Sequence, residues 1–454
     1  MTMTIRKIVL CICSLAAAGM VSAQSPDTAK WTLRQCIDYA IENNIEIKQQ
    51  ALEVENTEID LNTAKNSRLP SLSASASQSF NFGRSQSMET GIYEDNQTAS
   101  TSLGLSSSTT LFSGNRINHQ VKYNELNLMA AMENLNKAKE NLGLQVASYY
   151  LDVLFKKELL NVALKQAELT EKQVSQTQAL VESGKVAQSQ LYDIRAQLAQ
   201  NQLTITNAQN ELALSQLNLS QLLNLPGTGG FDVVEPDADE LISNNQATLL
   251  LPDDIYQIAI GIKPHVREAE YRLESSEQNV KIAQSSRYPS LSLGLSYNTG
   301  YSHIFKHDSD IDPFFDQLKN NRRQSIGLSL SIPIFNRLQT RNTIRSAKLT
   351  QENRMLELDY VKQSLYKEIQ QAYQSATAAE AKYASTGVAY SAAEIAYEYA
   401  EELYRVGRST VLEFSEAQNK LVTSQSEQIQ AKYDYVFRAK ILDFYRGEPI
   451  DLNY

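Results

Sequence analysis

The chain repeats itself, and that repeat restricts the folds open to it. SRLPSLS at Ser67 to Ser73 returns as SRYPSLS at Ser286 to Ser292, with Pro70 answering to Pro289. LFSGNR at Leu111 to Arg116 returns as IFNRLQ at Ile334 to Gln339, and Gly184 returns as Gly407. From Pro289 to Phe335 the second copy has four more residues than the first has from Pro70 to Phe112, all of them between its strand-like stretches. By contrast, Phe112 to Gly184 and Phe335 to Gly407 are equal in length, a constancy that suits a rigid rod. A fixed internal repeat marks a fold made of copies of one supersecondary unit. Between the copies, 225–251 contains Pro226-Gly227-Thr228-Gly229-Gly230 and Pro236 and reads as a linker.

Each copy holds two stretches of alternation. Leu72, Ala74, Ala76, Phe80 and Phe82 alternate with serines and Asn81, and Leu103 and Leu105 alternate with Ser and Thr before Phe112. In the second copy Leu291, Leu293, Leu295 and Tyr297 alternate with Ser292, Gly294 and Ser296, and Ile326, Leu328, Leu330, Ile332 and Ile334 with Gly327, Ser329 and Ser331. Period two gives each strand one apolar and one hydroxyl-rich face. At about 10 to 12 residues each, the stretches match tilted membrane strands with the apolar side toward lipid. Aromatic residues near their ends, among them Phe80, Tyr93, Tyr288 and Phe335, stand where interface anchors would. Four strands cannot close a membrane barrel, whose smallest forms have about eight. An open edge in lipid would leave backbone groups unpaired at several kcal/mol each, so two or more chains must pool their strands.

The remainder is helical. From about Asn118 an apolar seam runs Leu128, Met132, Leu135, Leu142, Val146, Tyr149 and Val153, and the second copy repeats it as Met355, Leu358, Leu365, Ile369, Ala372 and Ala376. Neither seam meets a proline before Gly184 or Gly407. Some 65 residues at about 1.5 Å each make a helix of roughly 100 Å, too long for a globular core. Returning helices follow each glycine, with Leu191, Ile194 and Leu198 in one and Phe414, Ala417 and Leu421 in the other. Narrow seams and outer faces rich in Gln, Asn, Glu and Lys suit coiled-coil walls.

Arg6 and Lys7, the apolar stretch Ile8 to Met20 and Val21-Ser22-Ala23 read as a secretory signal cleaved before Gln24. Cys11 and Cys13 lie in that stretch behind Leu10 and Ile12, bulky neighbours that argue against lipid anchoring. Cys36 alone remains, so no disulfide is expected within one chain. No later apolar run reaches the roughly 18 to 20 residues of a spanning helix, so a membrane form must be a β-barrel. With 42 basic against 52 acidic residues and a net charge of -10, the chain has no basic excess to recommend a nucleic-acid partner.

Motifs of energy coupling and hydrolysis (G-x-x-x-x-G-K-S/T, G-x-S-x-G and H-E-x-x-H) do not occur. His303, His307, Asp308, Asp310 and Asp312 gather in one loop, but Pro313 and Lys319 stand where a calcium loop needs glycine and its final acid. A solvated loop is expected there, and no metal or cofactor. A secreted coiled-coil stalk or adhesin is a competing reading, yet it has no need of four duplicated strands with a lipid-like face. A secreted enzyme would want a convergent set of acid, base or nucleophile, and none is visible.

The duplicated order of strand pair and helical hairpin resembles the outer membrane efflux protein family of TolC-like channels. So do WTLRQCIDYAIENN at Trp31 to Asn44, the strand exits LFSGNR and PIFNR, and above all YRVGRSTVLEFSEAQNKL at Tyr404 to Leu421. The resemblance implies a mainly α fold with a small membrane β part. It also implies a homotrimer, whose twelve-stranded barrel in outer-membrane lipid continues into a periplasmic α-helical barrel. The chain then divides into a signal peptide (1–23), an N-terminal helix of the equatorial or tunnel region (24–67), a first β-hairpin (68–115), a first helical hairpin (116–224), the linker (225–251), a helix of the second repeat (252–287), a second β-hairpin (288–337), a second helical hairpin (338–447) and a tail (448–454).

By the same resemblance the protein is a passive exit duct, not an enzyme. It would carry small molecules for a tripartite pump or, alternatively, protein in type I secretion, partnered by a periplasmic adaptor and an inner-membrane transporter. Glu413 and Glu416 match the acidic ring of the periplasmic gate, although Thr410-x-x-Glu413 also reads as a capping box. Tyr404 matches a tyrosine of the gate-closing network. Arg408 stands beside the place of its basic residue, which Ser409 occupies. Gln190 replaces its acid, for which Asp193 could substitute. Adaptor docking is expected at the turns marked by Gly184 and Gly407.

Overall fold

The computed structural model describes residues 29–86, 91–227, 231–236, 250–305 and 312–452. The signal read at 1–23 lies outside them, as do His307, Asp308 and Asp310 of the loop. In chain order the elements are β1 (Ala29–Trp31), α1 (Leu33–Asn43), α2 (Ile45–Asn66), β2 (Ser71–Gln86), β3 (Tyr93–Phe112), α3 (Arg116–Glu182) and α4 (Gln188–Leu222). Then come β4 (Phe231–Val233), α5 (Pro252–Ile262), α6 (Pro264–Ser285), β5 (Ser290–Ile304), α7 (Phe314–Asn320), β6 (Arg323–Ser331), α8 (Gln339–Arg405) and α9 (Val411–Arg446).

The two copies match element by element. Helices α3 and α8 both have 67 residues, and α2 and α6 both have 22. The β2–β3 hairpin pairs Ser71 with Ser108, and β5–β6 pairs Ser290 with Ser331, the same register carried one repeat along. At the strand exits Gly114 and Asn115 have φ of 60° and 65°, while Arg337 and Leu338 at the equivalent places have 56° and 66°. Gly114 has to be glycine, because a Cβ there would stand 2.7 Å from the Cβ of Tyr288. Arg337 keeps the same left-handed turn at an exposed position, at a backbone cost of about 1–2 kcal/mol.

Where one N-terminal helix was expected there are two. Asn44 is extended (φ -62°, ψ 134°), ends α1, and caps α2 by accepting from the Glu46 and Ile47 amides. Lys263 breaks the second copy at the same point, because Pro264 disfavours a helical residue before it. Thr32 and Gln35 close a capping box at the start of α1, which accounts for the Thr-Leu-Arg-Gln run. The linker is not featureless either: β4 pairs in parallel with β1.

The principal core lies at mid-height, where α1, the middle of α3, the end of α4 and β4 bury Leu33, Val146, Tyr150, Leu219 and Val233. The hydroxyl of Tyr150 shares its one proton between the Val234 and Trp31 carbonyls, at 2.8 and 3.1 Å, fastening the small β1–β4 ribbon to the long helix. The second copy has its own core of Ile255, Val266, Leu365 and Ile369. Of the anticipated seam residues, Leu142, Val146, Val153, Leu358, Leu365, Ile369 and Ala376 are buried, whereas Met132 and Met355 are exposed. A straight helix drifts about 20° per heptad from a seven-residue repeat, so one seam cannot face one neighbour over 67 residues. Toward the strands α3 packs on α2 and α6, and toward its far end on α4.

Candidate functional site

The four long strands form one antiparallel sheet in the order β2-β3-β5-β6. Its register sorts the side chains by face. Leu105 lies opposite Ala74 and Tyr297, and Leu293 opposite Leu328, while Ser106 lies opposite Ser73 and Ser296, which faces Ser325. One face is therefore mainly apolar across the four strands, with Ser107 and Thr109 set among its leucines, and the other is paved with hydroxyls. On the polar face Ser73 Oγ is 2.7 Å from Ser106 Oγ, and Ser296 Oγ is 2.6 Å from Ser325 Oγ. On the apolar face Leu72, Phe82, Ile326 and Leu328 are each more than two-thirds exposed. So large an open apolar surface requires a cover of lipid or protein. Both sheet edges, β2 and β6, are unpaired among the described residues.

Below the sheet each repeat sends out a helical hairpin whose turn is set by glycine. Gly184 and Gly407 have φ of 73° and 74°, and each closes its helix with a Schellman pair. The amides of Gly184 and Lys185 donate to Val181 and Leu180, and those of Gly407 and Arg408 to Tyr404 and Leu403. Neither glycine has an atom within 4 Å of a notional Cβ, so the positive φ is the requirement.

At the second tip the structure gives Glu413 a definite task. Its Oε2 accepts from the Thr410 amide at 2.8 Å and from the hydroxyls of Ser409 and Thr410, both at 3.0 Å. Its own amide donates to Thr410 Oγ1, completing the capping box. The Thr410 amide first, then the Ser409 and Thr410 hydroxyls, holds the carboxyl below the ordinary carboxylate range. Glu416 is one turn on and exposed, and its carboxylate makes no hydrogen bond or ion pair among the described residues. Tyr404 is stacked on Phe414 at 5.0 Å, and Tyr397 packs on the same ring at 5.7 Å.

The network members from the first tip lie on α4, Gln190 half-buried and Asp193 exposed. No hydrogen bond or ion pair among the described residues of one protomer joins them to Tyr404 or Arg408. The two hairpins also differ inside. In the first, polar residues fill the seam toward the tip: Asn201 donates to Thr170 Oγ1 at 2.8 Å, with Gln173 and Thr177 buried beside them. In the second, the rings of Tyr397, Tyr404 and Phe414 pack together, with Gln418 buried one turn further along.

Sequence reasoning missed a tie at mid-height. Lys263 is fully buried, with Nζ 3.3 Å from Glu140 Oε2 on α3 and 3.3 Å from the ring centre of Phe444 on α9. Burial pulls the Lys263 ammonium down and pushes the Glu140 carboxyl up, each resisted by the attraction of the other. The Lys263-Pro264 step was the available signal.

The outer membrane efflux protein family model matches this chain twice, once on each copy, over 36–225 and 255–447. Outer membrane efflux protein BepC of Brucella suis is 23% identical over 409 residues, covering 89% of this chain and 83% of the relative. Cation efflux system protein CusC of Escherichia coli K12 is 22% identical over 432 residues, covering 92% and 89%. Among solved structures, CusC superposes with a TM-score of 0.76 at 20% identity, covering 92% of this chain and 93% of that one. The CmeC outer membrane channel of Campylobacter jejuni gives 0.71 at 17%, covering 96% and 91%.

Proposed function

The chain belongs to the outer membrane efflux protein family, and from that premise we propose that it is the passive duct of a tripartite pump. Three copies would close a twelve-stranded barrel in the outer membrane and extend it across the periplasm as a helical tunnel. A periplasmic adaptor would dock at the turns of Gly184 and Gly407, and an inner-membrane transporter would supply the energy. Small molecules are the cargo, and no catalysed step is assigned to the chain. The observation that carries this reading is the sheet with one apolar face, one hydroxyl face and two open edges, continuous at its foot with helices of 67 residues.

The repeat also supplies the manner of closure. Within the chain β3 meets β5 in a register that places Ser106 opposite Ser296. Moved one repeat along, that register brings β6 of one copy against β2 of the next, with Ser329 opposite Ser77 and Ile326 opposite Phe80. Apolar then meets apolar and hydroxyl meets hydroxyl around the wall. Helices support the same step: Leu126 on α3 is buried, with α6 packed along that helix, whereas its equivalent on α8, Leu349, is 59% exposed and awaits α2 of the neighbour.

The gate is proposed at the tips, where Glu416 from each copy would face the axis. Glu413 supports it from the helix start, and Tyr404, Arg408, Gln190 and Asp193 are the candidates for links between neighbouring hairpins.

Disulfide trapping tests the closure. In a Cys36→Ser background, Ser77→Cys together with Ser329→Cys should give covalent dimers and trimers in the membrane, whereas Ser79→Cys with Ser329→Cys should not. Absence of the first product, or preference for the second, rejects this wall.

A further inference from the structure

The feet of the strands carry a charge pattern that the duct itself does not need. The chain as a whole is acidic at -10, yet the four stretches that join strands to helices, 61–71, 113–124, 278–290 and 332–351, hold ten Lys and Arg and no Asp or Glu. Lys122 is paired with Glu125, just below. Lys65, Arg68, Lys281, Arg287, Arg337 and Arg341 are exposed, and none forms an ion pair among the described residues. Asp60, Glu125, Glu277 and Glu352 flank these stretches, and Asp60 lines a cleft with Arg116, but four acids do not balance ten bases. A symmetric neighbour repeats the same excess, so further anions would come from outside the protein.

Rings stand just above these bases: Phe112 before Arg116, Tyr288 beside Arg287 and Phe335 before Arg337, all about half exposed or more. A bulge at Leu111 places Phe112 opposite Leu291, on the apolar face. Between β3, α3 and α6 opens a cleft of about 570 Å³, lined by Phe112 and Tyr288 next to the strand ends and by Arg68, His119 and Lys281, with no acidic side chain. Arg68 is steadied by a 2.7 Å hydrogen bond to Asn118, which leaves guanidinium donors free. The repeat builds a second set of clefts between copies, where Arg287, Arg337 and Arg341 would meet Lys65 of the neighbour. An aromatic wall toward the acyl region and guanidinium groups toward water is the arrangement that receives a phosphodiester at the membrane surface.

We propose that this collar is a binding site for anionic glycerophospholipid of the periplasmic leaflet, with the phosphate held by Arg68 and Lys281 within a chain and by Arg287, Arg337 and Arg341 between chains. The bound lipids would supply the anions that allow so many bases to gather in one ring. They would also fix the height at which the barrel gives way to the tunnel. This inference rests on the outer-membrane reading above.

Native mass spectrometry of the detergent-purified oligomer tests it. With dimyristoyl phosphatidylglycerol and dimyristoyl phosphatidylcholine offered at equal concentration, the protein should retain the anionic lipid at least tenfold more. Millimolar inorganic phosphate should not displace it. Arg68→Gln with Lys281→Gln should abolish the preference at the clefts within chains, and adding Arg287→Gln and Arg341→Gln should abolish the rest at unchanged oligomer mass. Equal retention of the two lipids by the unaltered protein overturns the proposal without recourse to any variant, as does displacement by free phosphate. A protein that stays monodisperse without detergent fails in a different way, by removing the membrane placement itself.

Discussion

Ile326 and Ser325 are adjacent on β6, at one depth and on opposite faces, so arginine at each asks directly which side of the sheet meets lipid. Five residues above the foot of β6 at Ser331, with about 3.3 Å of rise and a tilt near 40°, Ile326 lies roughly 13 Å up, the middle of an apolar band about 25 Å tall. Arginine facing lipid at that level costs about 2–4 kcal/mol per copy, or about 6–12 kcal/mol over three copies. Each copy alone shifts insertion by about thirtyfold to nearly a thousandfold. Ser325 instead faces the row of Ser296, Ser106 and Ser73, where a guanidinium stays hydrated. Ile326→Arg should therefore disappear from the outer-membrane fraction. Ser325→Arg should insert normally and, in planar bilayers under a KCl gradient, shift the reversal potential toward anions, since no carboxylate lines that row. Equal tolerance of the two variants, or loss of Ser325→Arg alone, refutes the assignment of faces.

Four further outcomes follow from the tips and the mid-height tie. Glu416→Gln should reduce cation preference in bilayers, since its carboxylate is open to solvent, while leaving the start of α9 intact; unchanged selectivity takes it out of the gate. Thr410→Ala removes a capping box worth about 0.5–2 kcal/mol, to be seen as faster amide exchange over the first turn of α9. Because the Glu413 carboxyl is held below its unfolded value, its capping contribution is complete above the ordinary carboxylate range and is lost as pH falls through the folded value; amide protection at this turn, taken relative to the intrinsic exchange rate at each pH, should fall only on acidification. Lys263→Ala strands the Glu140 carboxylate and empties the space over Phe444, at a cost near the low end of the 3–5 kcal/mol typical of a broken buried pair, or about 3 kcal/mol, because Glu140 is a third exposed. An unaltered melting midpoint would show that the tie is dispensable.

Much of the architecture is legible in the sequence because its two periods are strong. Alternation over β2, β3, β5 and β6 marks both faces correctly, and the duplicated spacing from Phe to Gly gives the hairpin length directly. Local breaks are harder to read. Asn44 stops α1 through its own backbone and caps α2 through its side chain, and nothing in a hydrophobic pattern reports that. The seam of α3 changes partners along its length, so Met132 and Met355 fit the period yet lie exposed in the single copy. At the tip the sequence allowed Glu413 both a gate and a cap. The structure shows Glu413 occupied by the cap, which leaves Glu416 as the proposed gate carboxylate. The basic collar escaped a reading based on net charge, because ten bases vanish in a chain whose total is -10.

Everything rests on sister copies completing one wall, and electron microscopy of detergent-extracted particles tests that most directly. Helices of 67 residues below a tilted sheet predict a hollow, threefold cylinder on the order of 130 to 140 Å long. A solid rod, or a compact particle containing a single chain, contradicts the account.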